Sequence, residues 1–260
     1  MGAYVAAVWR CRYFWLSLVK MDLETRYRHS LLGLGWSLLQ PLVLAFVVCT
    51  VFAGVFTARS PHYRLEVLAG LVVWNYLAAV AGQGCHCFLI AQPYIRQCPS
   101  PLAIFPLRTA LGGLVHFGLA LLIVLAARVW LRGWPDPTTL LALVPAVALL
   151  FAFAWSLALL AGFANVVFRD TEHLVQVGLQ ILFYGTPVIY PAELLDGYPA
   201  GWLLWLNPFV PFLQMFRTPI VHDAWPAWTT FAPALVTVVL LAGSAAAVLR
   251  ALQRRLIFYL

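Results

Sequence analysis

Six runs of roughly twenty apolar residues, parted by short charged or proline-bearing stretches, leave this chain few ways to fold. They extend from Ser37 to Phe56, from about Leu65 to Ile90, from about Ile104 to Leu131, from about Thr138 to Phe168, from Leu174 to Ile189 and from about Phe231 to Leu249. Inside a bilayer every backbone N–H and C=O must be paired within the protein, and a continuous apolar run of this length does so as a helix. Hydrophobic residues make up 63% of the 260 and charged residues only 10%, where a soluble domain carries about 25% charged. The mean hydropathy of +0.90 is more apolar surface than so short a chain can bury within itself. The expectation is an all-α membrane protein with six transmembrane helices. The fifth run is short and ends at Thr186-Pro187.

Six spans place both termini on one side, and the basic residues select which. With both ends cytoplasmic, eleven of the 16 basic residues lie inside: Arg10, Arg12, Lys20, Arg26, Arg28, Arg96, Arg108, Arg169, Arg250, Arg254 and Arg255. Arg59, Arg64, Arg128, Arg132 and Arg217 lie outside. The excess favours cytoplasmic termini of a multi-pass protein. The N-terminus carries Arg10, Arg12, Lys20, Asp22 and Glu24 and has no secretory-signal pattern. Five cysteines, at positions 11, 49, 85, 87 and 98, have no framework spacing and read as free thiols.

The chain reads as one domain in four parts. Residues 1–36 form a cytoplasmic interface helix and access segment, in which Trp9, Tyr13, Leu16 and Lys20 recur near helical spacing. Residues 37–190 hold spans one to five, and 229–260 hold span six with its tail. Between them, 191–228 is too rich in proline for a span and too apolar, at Trp202 to Leu206 and Phe209 to Phe212, for a plain loop. Short re-entrant gate helices at the outer face fit that composition, as does an amphipathic loop in the outer headgroups.

Several chemistries are missing. The one lysine, Lys20, is followed by Met21, so no P-loop exists, and neither a Gly-x-Ser-x-Gly elbow nor a His-Glu-x-x-His pair is found. Cys85-His86-Cys87 is a poor metal motif and no metal site is expected. Span centres are nearly bare of ion-coupling groups, His116 being the main exception, and a lone helical histidine is usually a packing residue. Any energised work therefore draws on a partner.

Along the whole length, motifs stand in a recognisable order: Asp22-Leu23 through Arg26-Tyr27-Arg28 with Ser30, then Leu32-Gly33, Trp36 and Pro41; Tyr63 to Trp74; Gln92 to Arg96; Ile104-Phe105-Pro106-Leu107; Phe168-Arg169-Asp170-Thr171; Thr186 to Tyr190; and Leu206-Asn207-Pro208-Phe209 with Arg217. This series resembles the permease subunits of ABC-2 type exporters, specifically those that move lipid-linked O-antigen, capsule or teichoic acid polymers. The segment between spans two and three departs from the family pattern at Gln92, Pro93, Tyr94 and Cys98 to Pro101.

The resemblance implies a channel-forming permease in the bacterial inner membrane, not an enzyme, which binds no cofactor or nucleic acid and works with two copies of a separate ATPase that holds ATP and Mg. Six spans cannot enclose a polymer channel, whereas a homodimer can. Implied for an undecaprenyl-linked polysaccharide are headgroup contacts at Arg26, Tyr27, Arg28 and Trp36, since guanidinium groups bind phosphate in bidentate fashion. Channel and outer-gate residues are Trp74, Tyr76, Phe183, Tyr184, Tyr190, Pro191, Asn207, Pro208 and Arg217. Coupling to the ATPase falls to Tyr94, Ile95 and Arg96, read as a short helix with an apolar knob, and to Arg169, Asp170 and Glu172. The other readings are an ABC-2 permease for a drug or small lipid, and an integral membrane enzyme of glycan or lipid synthesis.

Overall fold

The computed structural model describes residues 2–28, 35–56, 62–97, 100–192, 202–253 and 256–259. These are helical, with no strand among them. In chain order the helices are α1 (Gly2–Arg10), α2 (Arg12–Tyr27), α3 (Gly35–Phe56), α4 (Tyr63–Ile90), α5 (Gln92–Gln97), α6 (Ile104–Arg132), α7 (Pro137–Leu140), α8 (Leu143–Val167), α9 (Thr171–Gly185), α10 (Trp202–Leu206), α11 (Val210–Val221), α12 (Trp228–Leu252) and α13 (Leu256–Tyr259). Four segments, Tyr63–Gln97, Ile104–Arg132, Pro137–Val167 and Trp228–Leu252, are long and apolar enough to cross a membrane.

Local chemistry sets the boundaries. Gly133, at φ 84°, ends α6 in a conformation that suits glycine and lets its N–H reach the Val129 carbonyl. Asp136 then caps α7, accepting hydrogen bonds from the Thr138 N–H at 3.0 Å and its hydroxyl at 2.9 Å. The fourth apolar run is therefore not one helix from Thr138. It breaks at Leu141-Ala142 into α7 and α8. The fifth run becomes α9, which stops at Gly185 because Pro187 has no N–H to continue it.

Helix α4 is the central post, buried along most of its length. Its tightest contact is with α8, where small residues let the backbones approach: a Cβ on Gly84 would lie 2.7 Å from the Ala158 Cα, and one on Gly162 would lie 2.6 Å from the Cys87 Sγ. Asn165 locks the same seam by donating from Nδ2 to the Cys85 carbonyl at 2.9 Å. Gly162→Val is expected to overpack this seam and lower stability by about 1–3 kcal/mol, read as a lower unfolding temperature of the detergent-purified protein; Gly82→Ala, on a glycine with open space around it, should leave that temperature unchanged.

The interior divides into two clusters. One gathers Val8, Leu18, Ile95, Ile104, Phe163 and Leu256 around the inward ends of α4, α6, α8 and α12, and so marks the α1–α2 end of the molecule. The other fills the middle and the opposite end. Within it α11 is deeply set, with Phe212, Leu213, Met215 and Phe216 all inaccessible. Of the two readings of this region, the amphipathic loop does not hold for 210–221: four apolar side chains on one short helix are hidden by packing it against α4, α8 and α12.

Candidate functional site

Two polar constellations stand out in this apolar body, one at each end. At the α1–α2 end a cavity of about 570 Å3 opens between α2, α4 and α6. Asp22 and Thr25 line it from α2, Gln83 and His86 from α4, and Arg108, Thr109 and His116 from α6. Arg108 is buried and donates from Nε and Nη2 to the two carboxylate oxygens of Asp22, the bidentate geometry that joins α2 to α6. His86 Nε2 lies 3.1 Å from Glu172 Oε1 at the start of α9. In the sequence Arg108 counted only among the basic residues that orient the chain; its place inside the third apolar run was the signal of a buried, paired charge.

At the opposite end, polar side chains stitch the end of α9 to α11 and α4. Asn207 Nδ2 donates to the Gly185 carbonyl at 3.2 Å and to Thr186 Oγ1 at 2.7 Å, while its Oδ1 accepts from the Phe209 N–H at 2.9 Å. Arg217, buried, donates from Nε to the Glu66 carbonyl at 3.0 Å and from Nη2 to the Val188 carbonyl at 2.9 Å. Tyr63 adds a hydrogen bond from its hydroxyl to the Ile189 carbonyl at 2.8 Å. The Gly185, Val188 and Ile189 carbonyls, which lie where the chain leaves α9 and have no helix ladder to enter, are thus satisfied by the side chains of Asn207, Arg217 and Tyr63. Nearby, Arg128 donates to the Ile220 carbonyl at 2.9 Å and the Gly133 carbonyl at 2.8 Å and pairs with Asp223.

Beside that joint His62 and His222 face each other with ring centroids 6.5 Å apart. Partial burial, then the Arg132 guanidinium and His222, push the His62 imidazole below its ordinary value of 6.5. A histidine depressed in the folded state binds fewer protons there than in the unfolded chain. Stability is therefore lost as pH falls through the ordinary histidine range. The unfolding temperature is expected to drop between about pH 7.5 and about pH 5.5, by less in His62→Gln.

The residues singled out in the sequence separate into groups. Trp74 is buried, its ring centroid 5.5 Å from those of both Phe183 and Phe209. Tyr76 is buried too, its hydroxyl donating to the Ala110 carbonyl at 3.2 Å. Tyr184 is exposed, Tyr190 is half-buried and donates to the Tyr184 carbonyl at 3.0 Å, Pro191 is buried and Pro208 is half-buried. The expected short helix at 92–97 is present as α5, but Ile95 is not its outward knob: it is packed into the α1–α2 cluster, and Tyr94 meets Phe14 edge-on at 6.0 Å. Arg96, Arg169 and Asp170 are exposed, whereas Glu172 faces His86. Arg28 and Trp36 are exposed, and the side chains of Arg26 and Tyr27 lie outside the described residues. In Cys85-His86-Cys87 the two thiols are buried, Cys87 against Gly162, while His86 turns to the cavity.

Four helices long and apolar enough to cross a membrane, with a deeply packed proline-capped helix among them, define a multi-pass helical membrane protein. The profile of the ABC-2 type transporter family matches residues 13–221, and the chain belongs to that family. It is 29% identical over 240 residues to the O-antigen export system permease protein RfbA of Myxococcus xanthus, covering 91% of this chain and 92% of that one. It is 26% identical over 201 residues to the protein of the same description from Klebsiella pneumoniae, covering 77% of each.

Proposed function

We propose that this chain is the transmembrane subunit of an ATP-driven exporter that moves a lipid-linked, O-antigen-like polysaccharide across the bacterial inner membrane. The observation that carries the reading is the likeness, along nearly the whole chain, to permeases described as exporting O-antigen. The family and the lack of a P-loop lysine support ATP hydrolysis by a separate subunit.

Six spans are α3, α4, α6, the α7–α8 pair, α9 and α12, which leave both termini cytoplasmic. Helix α9 rises only about 22 Å over its 15 residues, short of the roughly 30 Å hydrocarbon layer. It has no buried residue, and Leu174, Val177, Ile181 and Tyr184 form one exposed stripe. A helix too short to meet lipid at both ends fits beside a second copy, so α9 faces the two-fold axis of a homodimer. Tyr184 and Tyr190 then border the exit, and the Asn207–Arg217 joint forms the outer gate. Trp74 and Tyr76 support those elements from behind. Arg96, Arg169 and Asp170 offer the ATPase a charged surface at the cytoplasmic end.

Arg26 and Arg28 receive the headgroup of the lipid carrier. In a strain lacking the native gene, the wild-type chain should restore surface polysaccharide, and the Arg26→Gln/Arg28→Gln double variant should not, with membrane insertion and dimer formation unchanged. Normal surface polysaccharide from the correctly inserted double variant would remove the headgroup role, and failure of the wild type to restore any would remove the export reading.

A further inference from the structure

The Asp22–Arg108 pair is lopsided. The Arg108 side chain is 9% exposed and that of Asp22 is 44% exposed. Arginine does not deprotonate, so a guanidinium this deep needs an acceptor at all times, and an anion is the strongest one. Asp22 supplies one, yet it stands at the rim of the cavity and can turn to water, whereas Arg108 cannot. Among the described lining residues Asp22 is also the one carboxylate; the Thr109 hydroxyl is engaged with the Phe105 carbonyl at 3.4 Å and His86 Nε2 with Glu172 at 3.1 Å, while Thr25 and Gln83 add groups that can donate hydrogen bonds. The cavity thus holds a buried guanidinium whose counter-ion is a removable side chain, and its volume of about 570 Å3 is that of a small-molecule site.

We infer that this cavity is an anion site of phosphate chemistry, in which Asp22 stands in for the ligand until a diphosphate displaces it from Arg108. The assignment of that diphosphate to a lipid carrier rests on the export reading; the anion site itself does not. Displacement has a mechanical result. The remainder of α2 stays fastened through Leu18, Val19 and the Phe14–Tyr94 contact. Its last turns, from Asp22 onward, lose the Asp22–Arg108 tie to α6. Those turns carry Arg26 and lead to Arg28, so occupancy of the cavity would free the segment that first meets the headgroup. The coupling runs both ways, as linkage requires: whatever lifts the end of α2 raises the affinity of the cavity for an anion.

The test is direct binding to the purified full chain in detergent, with farnesyl diphosphate, farnesol, inorganic pyrophosphate and maltotriose as probes. Farnesyl diphosphate should bind saturably and farnesol should not. Asp22→Asn should tighten binding about tenfold, because a competing charge-assisted pair is gone. Arg108→Gln should weaken it about tenfold or more. A contact that only held the fold together would give no gain of affinity in Asp22→Asn, so that variant keeps the test valid even where Arg108→Gln does not fold. Amide hydrogen exchange between Asp22 and Tyr27 should also rise on binding. Equal affinity for inorganic pyrophosphate would support the anion site and assign it to a soluble anion. Unchanged affinity in Asp22→Asn, or binding of maltotriose in place of farnesyl diphosphate, would overturn the proposal. These measurements need neither ATPase nor transport, so their failure is distinct from a failure of the export reading.

Discussion

Trp74→Ala is expected to lower stability by about 3–5 kcal/mol, the cost of removing a large aromatic from a filled interior. The ring is wedged between Phe183 and Phe209, and through them it joins α4 to α9 and to the start of α11. The purified variant should unfold at a clearly lower temperature and reach the membrane in reduced amount. Tyr184→Ala, on the exposed stripe of α9, should stay within about 0.5 kcal/mol of the wild type. A pair of equally stable variants would contradict the placement of Trp74 in the core. The contrast also separates two roles that aromatic residues at a channel mouth can have: one set touches what passes, the other holds the first in place.

The second large effect centres on Arg217. Arg217→Met would leave the Val188 carbonyl without this donor in a buried site, at about 1–3 kcal/mol, and would also remove the additional bond to the Glu66 carbonyl on α4. Gly70→Ala should reproduce much of that loss without touching the arginine, since the added Cβ would lie 2.6 Å from Arg217 Nη2 and 3.2 Å from the Val188 oxygen. Because both variants break the same joint, the double variant should be little worse than Arg217→Met alone. Additive losses in unfolding temperature would mean that Gly70 and Arg217 act separately.

The two ends of the molecule were unequally legible in the sequence. Four of the six runs were readable as helices of membrane length because such an apolar run announces itself residue by residue, and Thr186-Pro187 marks a real end. The family was readable from short motifs in a fixed order. What no spacing encodes is which face of a helix a neighbour covers. Trp74 and Tyr190 both sit near span ends and look alike as letters, yet one is core and the other half-buried at the rim. The outward role given to Ile95 failed for the same reason: its partners, among them Leu18 and Ile104, come from distant parts of the chain. The Asp22–Arg108 pair joins residues 86 positions apart. Arg108 had been weighed only as one of the charges that orient the chain, and that hid its pairing. Asn207 was flagged by its proline neighbour, but its bonds to Gly185 and Thr186 depend on α11 being drawn into the core.

The central claim is that this chain forms a polymer path driven by a separate ATPase. Its most direct measurement is made in sealed vesicles that hold the purified permease and its partner ATPase, with an undecaprenyl-linked glycan on the ATPase side. On addition of ATP and Mg the glycan should become accessible, on the opposite face, to an enzyme that cleaves it, and omission of either protein or of ATP should abolish the signal. Glycan that stays inaccessible while a small lipid or drug is moved in the same vesicles would contradict the account.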